Sequence, residues 1–396
     1  MDRDAALRRA REPFAVGDPL RGLSALAVAV SHVIGIAVIS WVFDRHGAPY
    51  SHQFYGAVGD WIGAQGTSGV SVFFVLSGFL LSRPFVRSAV WGDREPSLLR
   101  FARNRVLRIA PAYWAVLALL VFFVVLTGLD DISVRQLGHV FLFDGGTATR
   151  PLPLWFGHVW TLDIEMRFYL GLGAAGTLLA FGLTRVRSIG PAAKGGILAG
   201  AATGLAVWSF TSSVHGFDKI GTLANVGRFS IGILLAVAEV LMPAPRMSAG
   251  LRWASVGLCA VGGVALSLVS VGNEDLGQPL GHWSFLLLSL CAGAVVAGPL
   301  IWQWAGGRPW RALDNTVLHW AGSRSYSIYL VHVPVYAALV TAFPDDSYKR
   351  RTLLLATVGL PLALVASEFL HRWVERPFLR RKAASQAAPG SAVGVA

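Results

Sequence analysis

Apolar residues in this chain fall into long runs, about ten of which approach 20 residues, the length an α-helix needs to cross a hydrocarbon core of roughly 30 Å. The runs cover 21–42, 61–82, 109–128, 159–182, 195–213, 223–242, 253–271, 283–304, 325–343 and 352–372. Inside lipid every backbone N–H and C=O must be satisfied within the segment, so runs of this length predict helices. The pattern therefore predicts an all-α, polytopic membrane protein of about ten transmembrane helices. The second run starts among glycines and polar residues, so its beginning is the least defined. No repeat of 20–50 residues recurs, and no inverted-repeat pattern of the kind found in many secondary transporters is visible.

Composition strengthens that reading. Of 396 residues, 54% are hydrophobic and 14% are charged, against about 25% charged in soluble domains. The net charge of +12 raises the question of nucleic acid, and the placement of the charges answers it. With the N-terminus cytoplasmic, 25 of the 34 Lys and Arg fall on the inner side and seven outside. That asymmetry predicts both termini in the cytoplasm and makes the positive charge a topology signal with no nucleic-acid partner. The first twenty residues are polar and basic, so the first span is expected to serve as its own uncleaved signal anchor. The expected organisation is a cytoplasmic segment 1–20, a membrane domain 21–381 and a disordered cytoplasmic tail 382–396. Cys259 and Cys291 both lie inside apolar runs, so a disulfide framework is not expected.

Ionisable residues inside spans carry the chemical information, because burying them in a bilayer is costly. Arg21 and His32 open the first span. Eleven residues are three helical turns, so both side chains lie on nearly one face, roughly 16 Å apart at 1.5 Å per residue. His32 then sits near mid-membrane. In the fourth span HVWTLDIEMRFYL brings Asp163, Glu165 and Arg167 into the membrane. Glu165 is the carboxylate expected to partner His32. The competing explanation is a buried ion pair among the three, or with Arg228. Trp160 and Tyr169 read as interface or packing aromatics.

Arg105 and Arg108 stand one turn apart in RNRVLRIAPAYW, with Pro111 at the expected first turn of the third span, and two stacked guanidiniums can clamp phosphates bidentately. Arg83, Arg87 and Arg94 read as plain positive-inside residues. Ser77-Gly78 in SVFFVLSGFLLSRPF fits close helix packing or a narrow passage for a ligand tail along the backbone. His332 in SYSIYLVHVPV reads as a structural histidine, and Pro377 as a helix stop. No H-x-x-x-H, C-x-x-C or P-loop spacing occurs, so no metal site is indicated.

Across these residues the chain resembles the acyltransferase-3 family, membrane enzymes that O-acylate sugars, glycolipids, cell-surface polymers and macrolides. The resemblance runs from about Leu20 to Arg381. It rests on Arg21 and His32, on FFVLSGFLL, on Arg105 and Arg108, on W-[ST]-L-x-x-E at Trp160 to Glu165 with Phe168-Tyr169 behind it, and on SYSIYLVHVPV and VERPFL near the end. Relatives often carry a second glutamate where Met166 stands, which leaves Glu165 alone in that role. Many also append an SGNH-type domain, which this sequence does not contain.

The resemblance implies a multi-pass protein of the bacterial inner membrane, surrounded by lipid, with acyl-CoA (acetyl-CoA first) as the donor substrate. Its phosphates would meet Arg21, Arg105 and Arg108, and its arm would pass Ser77 and Gly78. His32 would act as general base or acyl relay with Glu165, toward a hydroxyl of a carbohydrate, glycolipid or macrolide acceptor. Trp155 and Trp160 are candidate sugar-stacking faces beside the outer loop 129–157. The rival class is a proton-coupled transporter or flippase in which His32 and Glu165 form the proton relay.

Overall fold

The computed structural model describes residues 7–8, 10–44, 56–94, 96–127, 133–143, 155, 157–214, 222–243, 245–274, 283–345 and 347–380. Most of the outer loop 129–157, the tail 382–396 and His46, His52, His215 and His282 lie outside them.

Among the described residues the protein is helical, without strands. The helices are α1 (Gly17–Asp44), α2 (Gly56–Trp91), α3 (Leu98–Thr127), α4 (Val134–Phe141), α5 (Trp160–Arg185), α6 (Pro191–Val214) and α7 (Thr222–Leu241). There follow α8 (Ala249–Glu274), α9 (Trp283–Trp304), α10 (Thr316–Ser323), α11 (Ser325–Ala342), α12 (Tyr348–Leu354) and α13 (Leu360–Leu370). Nine stretches among the described residues are long and apolar enough to cross a membrane. The expected span 195–213 does form a helix, α6, with 24 residues. It is rich in Gly, Ala, Ser and Thr, and it is not among the nine.

Polar sequence extends two helices beyond the apolar runs that announce them. α2 has 36 residues and carries Arg83 and Arg87 in its last turns rather than in a loop. α3 starts at Leu98, so Arg105 and Arg108 ride on the helix and Pro111 sits in its interior, not at its first turn. Nor does Pro377 stop the last helix. The chain runs helically to residue 380, with π turns at Leu355–Gly359 and His371–Glu375. Each ends two residues before a proline, Pro361 or Pro377. The wider turn redirects backbone bonding where the proline has no N–H to give.

Small residues let helices meet backbone to backbone, as they do in membranes, where lipid offers no hydrophobic incentive to associate. A Cβ on Gly78 would lie 2.2 Å from the Phe229 carbonyl oxygen, and one on Gly232 would lie 2.2 Å from that of Val75. Gly78 is thus the crossing point of α2 and α7, the close-packing role expected of it. We expect Gly78→Val to destabilise the fold by about 1–3 kcal/mol, the usual cost of overpacking, measured as a lowered unfolding midpoint in detergent. An unchanged midpoint would refute the crossing.

The N-terminal segment packs onto the bundle. Ala10, Phe14 and Val16 are buried, and Phe14 meets Phe79 edge-on at 5.6 Å. Gln303 accepts from the Ala15 N–H at 3.0 Å and donates to the Pro13 carbonyl at 2.9 Å. Beside it, Arg83 donates to both oxygens of Glu239 at 2.7 and 2.9 Å, with Trp304 donating to the same carboxylate at 3.2 Å. Arg83 and Glu239 are both buried. Arg83 is therefore half of a buried ion pair, beyond what a positive-inside role requires.

Candidate active site

Four helices line a track through the bundle, and each contributes one face. On α1 the residues are Arg21, Ser24, Val28 and His32, spaced three, four and four apart, which is one helical stripe. On α2 they are Ser77, Phe73, Val70 and Thr67, on α5 and its entry turn Tyr169, Glu165, Thr161 and His158, and on α11 Tyr326, Tyr329 and His332. Two cavities lie along this track. A small one of about 30 Å³ is lined by Ser24, Phe73, Glu165 and Tyr326. A polar one of about 150 Å³ is lined by Ser31, His32, His158, Trp160 and Arg228. Val28, Val70, Thr161 and Tyr329 face both, and the Thr161 hydroxyl donates to the Tyr329 oxygen at 2.6 Å.

At the top of the α1 stripe, His32 Nδ1 lies 2.9 Å from His332 Nε2, and His332 Nδ1 lies 3.1 Å from the Ile328 carbonyl oxygen. A carbonyl can only accept, so His332 Nδ1 carries the proton. His332 is fully buried, which favours the neutral ring, so its Nε2 accepts and His32 Nδ1 donates. The consequence is a fixed tautomer: His32 Nε2 holds a free lone pair, on a side chain that lines the polar cavity. His332, expected to be structural, is therefore the residue that orients His32. His158 joins the same cluster, with its ring 5.3 Å from that of His332. Both of its nitrogens are buried.

Glu165 does not partner His32. It accepts from Ser77 at 3.0 Å and from Tyr169, and among the described residues it forms no ion pair at salt-bridge distance. Tyr169 is accordingly a site residue rather than a packing aromatic, and its place four residues after Glu165 was the available signal, since i and i+4 share a helix face. Ser77, expected along the ligand path, holds the carboxylate.

Arginines gather below Glu165. The Arg105 guanidinium sits over the Tyr169 ring at 5.7 Å and over Phe101 at 5.8 Å, with its Nε buried and lacking a hydrogen-bond acceptor. Arg108 is 3.7 Å from Glu375. That carboxylate is also held by Ser327 at 2.8 Å and His371 at 2.9 Å. Arg21 bonds the exposed Asp18 at 2.9 Å. Both Arg21 and Arg105 act electrostatically on Tyr169, and Arg105 and Arg108 act on Glu165. Arg21 and Arg108 thus each have a carboxylate partner, whereas the Arg105 Nε has none among the described residues.

Other expectations fall elsewhere. Arg167 lines a separate, apolar cavity of about 270 Å³ between α2, α5, α6 and α7. Trp155 is buried, 5.8 Å from Phe123, whereas Trp160 does face the His32 cavity.

A sequence model described as an acyltransferase domain matches residues 18–372. The exopolysaccharide production protein ExoZ of Rhizobium meliloti (strain 1021) is 28% identical over 334 residues, covering 83% of this chain and 94% of that protein. No solved structure matches the chain.

Proposed function

The chain belongs to the acyltransferase family defined by that match, and from this premise we propose that it moves an acyl group, acetyl first, from acyl-CoA to a hydroxyl of a carbohydrate. The ExoZ likeness favours a polysaccharide or its lipid-linked precursor as acceptor. The bacterial cell membrane is the setting, with the Arg21 end of α1 at the cytoplasmic face.

The observation that carries this reading is the orientation of His32. Its side chain lines a polar cavity while its Nδ1–H is tied to His332, which leaves the Nε2 lone pair uncommitted. In that state Nε2 takes the proton of an acceptor hydroxyl as the oxygen attacks the thioester carbonyl carbon. The carbon–sulfur bond breaks, and the proton on His32 passes to the departing thiolate. The same lone pair serves if His32 is first acylated and hands the group on; rapid quench with labelled donor alone separates the two routes by trapping, or failing to trap, an acyl-imidazole. Glu165, held by Ser77 and Tyr169, shapes the lower part of the track and does not relay protons to His32 directly. A proton-relay transporter built on a His32–Glu165 bond finds no such bond among the described residues.

The decisive experiment is transfer of labelled acetyl from acetyl-CoA to a carbohydrate acceptor by purified protein in detergent, where no gradient exists. Transfer supports the enzyme, and gradient-dependent substrate movement without transfer refutes it. Arg21, Arg105 and Arg108 would hold the donor phosphates. Arg105→Ala and Arg108→Ala are each expected to raise the donor KM about 10- to 100-fold, the worth of a charge-assisted hydrogen bond, with acceptor KM little changed. A selective rise in acceptor KM would overturn the donor assignment.

A further inference from the structure

We propose that the His32 cavity binds a carboxylate of one of the two substrates, through Arg228. This rests on the acyltransferase reading and narrows its substrate class. Arg228 is 4% exposed, on α7, and lines the polar cavity with His32 and His158. Its contacts are neutral. One nitrogen donates to the Asn225 side-chain oxygen, the guanidinium lies 5.4 Å over the Phe285 ring, and Nε is buried with no acceptor. No carboxylate lies within salt-bridge distance of it among the described residues, whereas the equally buried Arg83 is clasped by Glu239.

A guanidinium cannot shed its proton, and an uncompensated buried charge costs several kcal/mol. The cavity therefore holds one permanent positive charge that no described residue neutralises. His32, His158 and Trp160 also line it and none of them can carry a negative charge, so the Arg228 charge stays unmatched there. That fits a monoanion. A planar guanidinium fork recognises a carboxylate bidentately. About 150 Å³ is the share of liquid volume of roughly five waters, room for a carboxylate with part of a sugar ring or a short acyl chain.

Two sources supply the group. A uronic-acid acceptor carries it beside its hydroxyls, and a dicarboxylic acyl thioester carries it at the far end of the acyl chain.

The test uses the full-length protein in detergent, as wild type, Arg228→Gln and Arg228→Lys. Transfer from acetyl-CoA is compared between methyl glucuronide and methyl glucoside, and transfer to methyl glucoside is compared between succinyl-CoA and acetyl-CoA. Ligand-induced thermal stabilisation by glucuronate against glucose, and by succinate against neutral succinamide, is read in parallel. We expect wild type to favour the charged member of one pair by tenfold or more; the pair that shows the preference names the source. Arg228→Gln should collapse that preference at least tenfold, and Arg228→Lys should retain part of it.

Equal treatment of charged and neutral members by wild type overturns the proposal, and this arm needs no variant to fold. Equal losses on both members in Arg228→Gln also overturn it, placing the arginine on the reaction's own oxyanion. Transfer without charge preference keeps the acyltransferase reading and removes the carboxylate site. Arg228-dependent stabilisation by the anion without any transfer keeps the site and removes the acyltransferase reading.

Discussion

His32→Ala is expected to lower turnover by roughly 10²–10⁴-fold, the range of a positioned acid–base group, while the protein still inserts and folds. The side chain lines a polar cavity, so the vacated space takes water rather than collapsing. Among the described residues the only hydrogen bond lost is the one to His332. Turnover is measured by labelled acetyl transfer and folding by size exclusion and circular dichroism in the same detergent. Near-normal turnover of the alanine variant would remove the central residue of the mechanism. His332→Phe sharpens the test because it keeps the ring volume but deletes the acceptor for His32 Nδ1–H. The fixed tautomer is then lost while the base remains. Its loss should appear in kcat more than in either KM, and should be smaller than that of His32→Ala. A purely structural His332 would instead lower the unfolding midpoint and leave the kcat of the folded fraction intact.

The largest stability effect is expected at Arg83 and Glu239. Removing one partner of a buried pair strands the other charge, at a cost of about 3–5 kcal/mol. Glu239→Ala leaves Arg83 bonded to the Glu12 carbonyl at 2.9 Å but without its counter-charge, and it takes an acceptor from Trp304 as well. The thermal midpoint in detergent should fall sharply. The double replacement Arg83→Met with Glu239→Leu removes both charges and fills similar volume, so it should recover most of the loss. If the double variant is no more stable than the single one, the interaction is not an ion-pair effect and the assignment fails.

The spans were legible because lipid imposes a strict demand, about 20 apolar residues with all backbone bonds made inside. Helix ends were not. Nothing in apolarity tells where a polar helix continues past the membrane, so α2 and α3 run longer than their apolar cores and Pro111 changes position. The α1 stripe was readable from spacing alone, since Arg21 and His32 share a face by helical geometry. The partner of His32 was not, because His332 is 300 residues away and only packing of α1 against α11 joins them. Glu165 was found as a buried carboxylate but assigned to the wrong neighbour. Its true contacts are Tyr169 one turn below it and Ser77 on another helix, only the first of which lay within reach of sequence spacing. Arg228 stood out as a charge inside a span, but nothing local says that it faces the same cavity as His32.

The shared wall between the two cavities has a consequence for the fate of an activated acyl group. Val28, Val70 and the bonded pair Thr161–Tyr329 stand between the Glu165 space and the His32 space. On the proposed route a thioester crosses there, past the hydrogen-bonded Thr161–Tyr329 pair. These side chains are then the door between a compartment of roughly a single water and the larger His32 space. On that route hydrolysis of the donor depends on the width of the door as well as on the base. Enlarging the door, rather than weakening the base, is what would turn a transferase of this design into a hydrolase.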